Sequence, residues 1–491
     1  MLQRPNPVKK PNTGSEHPRI RLRCFGGILI CFFSALHLYV AVGAEASTPF
    51  IQGYTNQRSY TPGDRIDFHI SSRLNRYTVT IRRLGSVQQP IFKKTIESGR
   101  SYDKPPDASA RGAGWPVGLS LKVPADWVSG YYEVFLGGTD PSRPAEWVDG
   151  QTTFFIVRAG SPGERTSILM PLSINTWNAY ESWGGKSLYS FNSTDNRAGH
   201  QVSFLRPIKS GVYEWESHFI IWAEQQGYKI DYAANEDLEF HPELLNHYKL
   251  ILSVGHDEYW SKGMRDHLKA FIAKGGNAAF FSGNTVTWQI RYEDDGQAMV
   301  SWKEFYRDDP LYNPGGPNPL LTTLWSHHLV NRPENLLTGV GMMHGGMHRS
   351  EGQYMDGSGA FTVHRAGHWV FAGTGLNNDD EFGGTDSIVG YEVDGCDFES
   401  KNGRPVPTQR DGTPESFEIL ATAPASWPNE FWTWYERWDP EEEGNACMGI
   451  YTSPGGGNVF TAATTDWAHG LRGGDRVVER ITRNILDRLS R

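Results

Sequence analysis

Hydrophobic and polar residues alternate along the first part of the chain, from about residue 48 to residue 157. The stretches RIDFHI, YTVTI and VGLSL each place an apolar side chain at every second position, and turn sequences such as TPGD separate them. Short alternating strands at this spacing are typical of two antiparallel sheets packed face to face. We therefore predict an all-β, immunoglobulin-like sandwich over residues 47–160.

The pattern changes after the Gly/Pro/Ser-rich junction VRAGSPGERT. The stretches TSILMPL, YKIDYAA, YKLILSV and NAAFFSGN are continuous apolar runs, as expected for buried strands. A helix is predicted to begin at Ser261, to present Met264, Leu268 and Ile272 on one face, and to end at Gly275. Buried strands that alternate with amphipathic helices indicate a parallel sheet covered on both faces, so residues 161–491 are predicted to form an α/β domain.

A long segment from about residue 292 to residue 453 lacks clear periodicity. It is rich in Trp, Gly, Asn and His. We expect it to add loops and β-structure to the α/β core, and such additions commonly shape a substrate site.

The N-terminus has the order of a secretory signal. Arg19, Arg21 and Arg23 precede the apolar run Phe25–Val42, and the small-residue sequence AEA follows at positions 44–46. We therefore predict that residues 1–46 are a signal peptide and that the protein is secreted or periplasmic. The alternative is an uncleaved signal that anchors the chain in the membrane.

Four cysteines are present, and two of them lie in the predicted signal. The other two, Cys396 and Cys447, are expected to pair in an oxidising compartment.

The net charge of the chain argues against a nucleic-acid partner. The chain has 47 Lys and Arg against 56 Asp and Glu, a formal net charge of −9. Nucleic-acid binding needs a concentrated basic face, so we expect no nucleic-acid partner and favour a small-molecule substrate.

Four ionisable residues follow one predicted buried strand, in the sequence LSVGHDEYWS. No Ser or Cys occupies the turn itself, which disfavours an acyl-enzyme. His256, Glu258 and Tyr259 offer an imidazole, a carboxylate and a phenol, which suit proton transfer or metal binding. Asp257 is interpreted as structural.

Three stretches resemble one family of proteins. The sequences LSVGHDEYWSKGMRDHLKAFIAKGGNAAFFSGNTVTWQIRYE, FIIWAEQQGYKIDYAANEDLEFHPELL and TTDWAHGL resemble the beta subunit of N,N-dimethylformamidase and its relatives. The resemblance implies an amide hydrolase on a flavodoxin-like core similar to that of class I glutamine amidotransferases, without their catalytic cysteine. It also implies a small helical partner subunit and a homo-oligomer.

The same resemblance implies mononuclear iron held by two tyrosines and one glutamate. Tyr259 matches one tyrosine, His218 stands where the second is expected, and Glu351 is the candidate for the glutamate. His256 and Glu258 are then the candidate catalytic residues, and the iron would polarise the amide carbonyl or supply hydroxide.

Two other readings of the chain stay open. One is a carbohydrate-active protein on the same scaffold, which would use Glu258 and a second carboxylate. The other is a secreted binding protein without catalysis. The scaffold alone does not distinguish these functions, because one fold hosts many chemistries.

Overall fold

The alternating residues near the start of the chain form two facing sheets in the computed structural model, which describes residues 51–138, 152–348, 358–428, 431–438 and 443–491. The elements of this first part are β1 (Ile51–Thr55), β2 (Ser59–Tyr60), β3 (Arg65–Ser72), β4 (Tyr77–Arg83), β5 (Pro90–Ile96), α1 (Ala108–Arg111), β6 (Val117–Lys122), β7 (Gly130–Gly138) and β8 (Thr152–Val157). One sheet has the order β1-β3-β6 and the other β2-β8-β7-β4-β5. Phe68 of the first sheet and Ile81 of the second share one apolar core. This part of the chain therefore consists of two sheets that share an apolar core, with the short helix α1 between β5 and β6.

The second part alternates strands with helices and then becomes mostly strand. Its elements are β9 (Ile168–Leu172), α2 (Ile174–Tyr180), β10 (Gln201–Ser203), α3 (Glu216–Gln225), β11 (Asp231–Ala234), α4 (Asp237–Phe240), β12 (Leu250–His256), β13 (Tyr259–Ser261), α5 (Lys262–Ala273), β14 (Asn277–Gly283), β15 (Trp288–Glu293), β16 (Ala298–Val300), α6 (Asn335–Thr338), β17 (Gly341–Gly346), β18 (Phe361–Val363), β19 (Glu381–Phe382), β20 (Val393–Gly395), β21 (Phe398–Lys401), β22 (Arg404–Pro407), β23 (Glu418–Ala425), β24 (Gly444–Thr452), β25 (Asn458–Thr461), α7 (Trp467–Gly473) and α8 (Arg476–Leu489). Short 3₁₀ turns span Thr194–Asn196, Pro242–His247, Asp294–Gly296, Lys303–Asp308 and Trp369–Phe371. The chain is therefore a mixed α/β protein in which sheet predominates.

A nine-stranded sheet forms the centre of this second part. Its order is β11-β9-β12-β14-β25-β24-β23-β18-β19. The five strands from β11 to β25 pair in parallel, whereas the pairs from β25 to β19 are antiparallel. The antiparallel edge comes largely from the segment predicted to add β-structure, which confirms that prediction.

Helices cover both faces of the parallel strands. Leu252 of β12 points to the face that α3, α7 and α8 cover, where it shares a core with Phe219 and Ile481. Ile251 points to the opposite face and packs with Leu268 of α5. The Ser261 side chain accepts the amide proton of Met264 at 3.2 Å, so the predicted N-cap of α5 is confirmed.

A four-stranded sheet with the order β10-β16-β15-β13 flanks the carboxyl end of β12. Tyr259 of β13 lies directly beside Trp288 of β15 in the parallel register. This side sheet brings a second set of side chains to the turn that follows β12.

The predicted signal segment lies outside the described residues. Within the residues that the structure describes, no helix is long and apolar enough to cross a membrane.

The expected disulfide is absent. Cys396 and Cys447 are both buried free thiols. A hydrogen bond from the Cys396 thiol to Cys447, and then burial, raise the pKa of Cys396 well above its usual value, which shows that the two side chains lie together. Buried free cysteines pack as small apolar side chains, and here both belong to the core on the α5 face of the sheet.

Candidate active site

His256 is the last residue of β12, at the carboxyl end of the parallel sheet. β12 lies between β9 and β14, where the strand order reverses direction, and ligands of open α/β sheets bind at such a point. Gly255 precedes it with a φ of +80°. A side chain at that position would also approach the Cβ atom of Trp215 to 2.5 Å, so the strand needs glycine there.

Two carboxylates flank the His256 imidazole. Nε2 lies 2.8 Å from Oε2 of Glu392 and 3.4 Å from Oε2 of Glu258. The ring N–H is not aligned with either oxygen, so these are close ion-pair contacts rather than well-formed hydrogen bonds. Burial lowers the pKa of His256, but the charges of Glu392 and Glu258 outweigh burial and raise it to about 9. The imidazole is therefore a cation at neutral pH.

Glu258 is the centre of a wider hydrogen-bond network. Its Oε1 accepts from the indole of Trp288 at 2.8 Å and from the amide of Asn284 at 3.4 Å. The same Asn284 amide donates to Oε2 of Glu392 at 2.9 Å, which ties the two carboxylates together. Burial is the main reason that the pKa of Glu258 is raised.

Three tyrosine hydroxyls extend the network from Glu258 into the protein. Tyr259 donates to Tyr189 at 2.7 Å, Tyr189 contacts Tyr180 at 2.8 Å, and Tyr180 donates to Glu258 at 3.2 Å. Tyr189 also lies 3.0 Å from Glu258. Each hydroxyl carries one proton. Tyr259 can thus donate to Tyr189, Tyr189 to Tyr180, and Tyr180 to Glu258. Burial raises the pKa of all three phenols well above the usual value.

Three residues around this network have left-handed backbone conformations. Asn284, Val286 and Lys303 have φ values of +48°, +60° and +53°. For a β-branched residue such as Val286, this conformation is a genuine outlier. Such strain persists only where the surrounding packing enforces it, and it is frequent at active sites.

The side chain of Lys303 is buried against aromatic faces. Its Nζ lies 3.2 Å from the ring centre of Tyr189 and 4.8 Å from that of Trp288. No carboxylate oxygen of the described residues lies within ion-pair distance of Nζ. Burial lowers the pKa of Lys303 to about 8, although neighbouring glutamates oppose the shift.

A cavity of about 570 Å³ opens above His256. Five aromatic residues line it together with the imidazole: Trp177, Tyr180, Phe191, Trp215 and Tyr391. Neither Glu258 nor Glu392 is among the described residues that line the cavity. His256 and Tyr180 are therefore the groups of the network that a bound molecule can reach.

The predicted site residues are only partly brought together. His256, Glu258 and Tyr259 share one network, as expected from their positions after β12. His218 instead lies beside His469 and Arg472, with ring centres of the two histidines 5.9 Å apart. Its pKa is lowered to about 4 by burial and then by the neighbouring Arg472 and His469. Glu351 lies outside the described residues, so both His218 and Glu351 stay predictions.

Asp257 holds the turn in place, as its interpretation as a structural residue predicts. Its carboxylate accepts from Asn235 at 3.1 Å and from Ser253 at 2.9 Å. Its backbone carbonyl accepts from the amide of Val286 at 3.0 Å. These contacts fix the direction in which Glu258 leaves the strand.

Sequence reasoning missed several members of the network. Asn284 follows β14, the strand next to β12, so the rule that strand ends meet at one edge of a sheet was sufficient to find it. Tyr180 is the last residue of α2, a full helix beyond β9, so this rule does not find it. Tyr189, Lys303 and Glu392 lie in irregular segments and carry no local signal.

A separate group of metal-binding side chains lies at His327, His328 and Glu436, whose ligand atoms are all within 4.8 Å of one another. Nδ1 of His327 accepts the amide proton of Leu329 at 3.2 Å, which leaves the proton of the neutral ring on Nε2. Binding of a metal through Nε2 would require the loss of this hydrogen bond. The group is therefore a potential cation site in which His327 has its proton on Nε2, the atom that would have to bind the metal.

The chain is thus an α/β protein in which a histidine between two carboxylates lies at the carboxyl end of a parallel sheet, on the lining of a largely aromatic cavity. The chain belongs to the family described as N,N-dimethylformamidase beta subunit-like, C-terminal, whose model matches residues 76–481. The match begins within the β-sandwich and therefore includes strands of both parts of the chain.

One curated relative and two solved structures are also similar to parts of this chain. The N,N-dimethylformamidase beta subunit of Alcaligenes sp is 28% identical over 122 residues, which cover 22% of this chain and 16% of that relative. A β-D-glucuronidase of Dictyoglomus thermophilum has a TM-score of 0.14 at 10% identity, covering 47% of this chain and 43% of that one. The β-glucuronidase 2 of Bacteroides uniformis has a TM-score of 0.15 at 10% identity, covering 50% and 30%. The TM-scores of these two structures are too low to support a conclusion about this chain.

Proposed function

We propose that the chain is a hydrolase of amide C–N bonds and that its active site is the His256 network. The observation that carries the proposal is the imidazolium of His256, which lines the aromatic cavity while Glu392 holds its Nε2 side at 2.8 Å. Amide hydrolysis needs a proton for the departing amine, and a histidine cation at the cavity floor is placed to give one. Family membership supports this reaction class.

The roles of the two cavity-facing groups follow from their contacts. Nδ1 of His256 makes no hydrogen bond with the described residues, so it can donate to the substrate while Nε2 stays with the carboxylates. The hydroxyl of Tyr180 donates to Glu258, so it can take a proton from the attacking water while it passes its own proton to this carboxylate. Glu258 lies 3.4 Å from Nε2 of His256 and can return the proton that the imidazolium gives to the departing amine. His256 is only 4% exposed, so water has little access to the imidazole and its electrostatic interactions are strengthened.

The donor set fits the metal that the family resemblance implies. Tyr259, Tyr189 and Glu258 meet around one hydroxyl, with contacts of 2.7 and 3.0 Å, and provide two phenols and one carboxylate. Hard anionic oxygens of this kind suit ferric iron, and a bound cation would offset the excess of buried acidic groups. These three residues would hold the ion, in place of the predicted partners His218 and Glu351. When bound, iron would favour the phenolate and carboxylate forms of these three residues, which lie behind the groups that line the cavity.

The finer fold assignments also belong to this proposal. The parallel strands β9, β11, β12, β14 and β25, numbered one to five along the chain, lie in the order 2-1-3-4-5. This is the flavodoxin-like order, which supports a core similar to that of glutamine amidotransferases. The two-sheet architecture supports the immunoglobulin-like assignment of the first part.

Partners and location are proposed from the family and the N-terminal sequence. The relative in Alcaligenes is a beta subunit, which supports a partner subunit for this chain. The basic and apolar order of residues 1–46 supports export.

The site argues less well for glycoside hydrolysis, which needs two carboxylates that reach the sugar from opposite sides. Here Glu258 and Glu392 both turn towards one imidazole. A purely non-catalytic role does not account for the backbone strain at Val286 or for the buried ammonium group of Lys303.

Release of amine from a formamide by the full chain tests the proposal. We expect turnover that His256→Asn lowers at least a hundredfold, because the proton donor is lost. His267→Asn is the matched control, since this histidine lies on α5 and contacts the carbonyl of Leu238. Absence of turnover in the wild type, or equal rates in both variants, would contradict the proposal.

The metal is tested separately by iron content and visible absorbance. Stoichiometric iron with a phenolate-to-metal absorption band, lost in Tyr259→Phe, is the expected result. A metal-free protein without colour, purified from iron-supplemented cells, would remove iron from the account.

A further inference from the structure

The cavity above His256 is much larger than a small amide requires. Its volume of about 570 Å³ lies within the range of pockets that bind drug-sized molecules. An amide as small as a dimethylated formamide would leave most of this space to water. The size of the cavity therefore indicates a substrate that extends well beyond the reacting amide group.

One wall of the cavity is a continuous aromatic surface. The rings of Trp215 and Tyr391 lie with centres 6.4 Å apart and planes inclined by 30°. Each ring also reaches the imidazole of His256, at 5.6 Å and 5.8 Å between centres. The surface thus begins at the proposed proton donor and runs outward from it.

A single buried carboxylate holds this wall together. Oδ1 of Asp466 accepts from the indole of Trp215 at 2.8 Å, and Oδ2 accepts from the backbone amide of Tyr391 at 3.1 Å. Asp466 is only 4% exposed, so both hydrogen bonds are shielded from water. A side chain at Gly390 would collide with Asp466, which explains the glycine at that position. The wall is therefore a built feature rather than a chance contact of two surface rings.

Phe191 adds an aromatic group on the solvent side of the cavity. It lines the cavity and is 68% exposed, which is unusual for a phenylalanine. Its ring packs loosely on Tyr189, with centres 5.4 Å apart. A molecule that filled the cavity would cover this exposed ring.

We propose that the substrate is an amide that carries an aromatic substituent, which packs on the wall formed by Trp215 and Tyr391 while the amide carbonyl lies at His256. This inference rests on the proposed amide hydrolysis and specifies its substrate class. Aromatic rings gain from offset stacking and edge contacts with other rings, beyond the burial of apolar area. Asp466 is the positioning residue of this wall.

The test compares three formamides with the same reacting group: N-benzylformamide, N-(cyclohexylmethyl)formamide and N,N-dimethylformamide. With the full chain, we expect kcat/KM for the benzyl compound to exceed that for the dimethyl compound at least thirtyfold. It should exceed that for the cyclohexyl compound about threefold. In Asp466→Asn, the added N–H of the amide opposes one of the two hydrogen bonds. KM for the benzyl compound should therefore rise about tenfold while kcat falls much less.

The matched control is Asp231→Asn, which changes a buried aspartate that accepts a hydrogen bond from Tyr248 far from the cavity. It should leave the preference among the three formamides unchanged. Equal kcat/KM for the three compounds in the wild type would overturn the substrate class while leaving amide hydrolysis intact. So would an Asp466→Asn variant that loses kcat equally for all three.

Binding measured by calorimetry separates this inference from the proposed reaction. If no formamide is hydrolysed but N-benzylformamide binds and Asp466→Asn weakens that binding tenfold, the aromatic site stands and the hydrolase proposal fails. If N-benzylformamide neither binds nor reacts, the aromatic site fails as well.

Discussion

Arg206 holds the segment that carries Tyr180, and its replacement gives the sharpest test of how the site is positioned. The guanidinium is fully buried. It donates to the carbonyls of Asn178, Glu181 and Trp183 at 3.2, 3.0 and 2.6 Å, just after α2 ends. Its remaining bonds go to Ser203, Lys186 and the Asn178 side chain. A cation at a helix C-terminus also complements the helix dipole.

The magnitude follows from what Arg206→Leu leaves behind. Five backbone carbonyls lose a charged donor in a buried place, and each unsatisfied group costs about 1–3 kcal/mol. Some of these carbonyls regain partners as the loop relaxes, so we expect a net loss near that of a broken buried ion pair, about 4 kcal/mol. Tyr180 lies within the segment that relaxes, so hydrolysis should fall at least tenfold.

The assay is denaturant-induced unfolding of the full chain, followed by fluorescence, together with the rate of amine release. Arg65→Leu is the control, because this exposed arginine pairs with Asp67 and should change stability by less than about 1 kcal/mol. An Arg206→Leu protein as stable and as active as the wild type would refute the reasoning.

Three further predictions concern other parts of the described structure. Burial raises the pKa of Asp394 to about 7, so the free energy of unfolding of the wild type falls as pH rises from about 4 to 7. Asp394→Asn should therefore exceed the wild type in stability by about 3 kcal/mol at pH 8 and equal it at pH 3.5, as measured by urea unfolding. Gly255→Ala should cost at least about 2 kcal/mol and alter near-ultraviolet circular dichroism, because φ is +80° and the new methyl group meets Trp215; an unchanged spectrum and stability would count against this packing. Cys396 and Cys447 should both react with a thiol reagent after unfolding without reductant, and mass mapping of a linked peptide pair would contradict the free thiols.

Local sequence was sufficient to predict that His256 and Glu258 lie together at the end of a buried strand. The apolar run of β12 and the four ionisable residues after it place His256 and Glu258 at a strand end, where α/β proteins bind ligands. The same turn supplies Tyr259, and the resemblance implies that this residue is a metal ligand. All three lie in one network because a strand, a tight turn and a short following strand leave little freedom over four residues.

The remainder of the site depends on contacts between distant segments. Glu392 reaches His256 across 136 positions of sequence and belongs to the segment without periodicity, so no local pattern marks it. Lys303, which packs on Tyr189, has a left-handed backbone conformation with a φ of +53° that no local pattern predicts. His218 was predicted as a metal ligand by matching a motif. In the structure its ring lies next to that of His469.

The rate of amine release from N-benzylformamide by the full chain and by Glu392→Gln tests the central claim most directly. Glu392 is the closest charge to the His256 imidazole, at 2.8 Å, and it lies outside the cavity lining. The account predicts measurable hydrolysis by the wild type and at least a tenfold lower kcat in Glu392→Gln, with the native circular dichroism retained. Undetectable hydrolysis by the wild type, or a Glu392→Gln variant with full activity, would contradict the assignment of this histidine and its carboxylates as the active site.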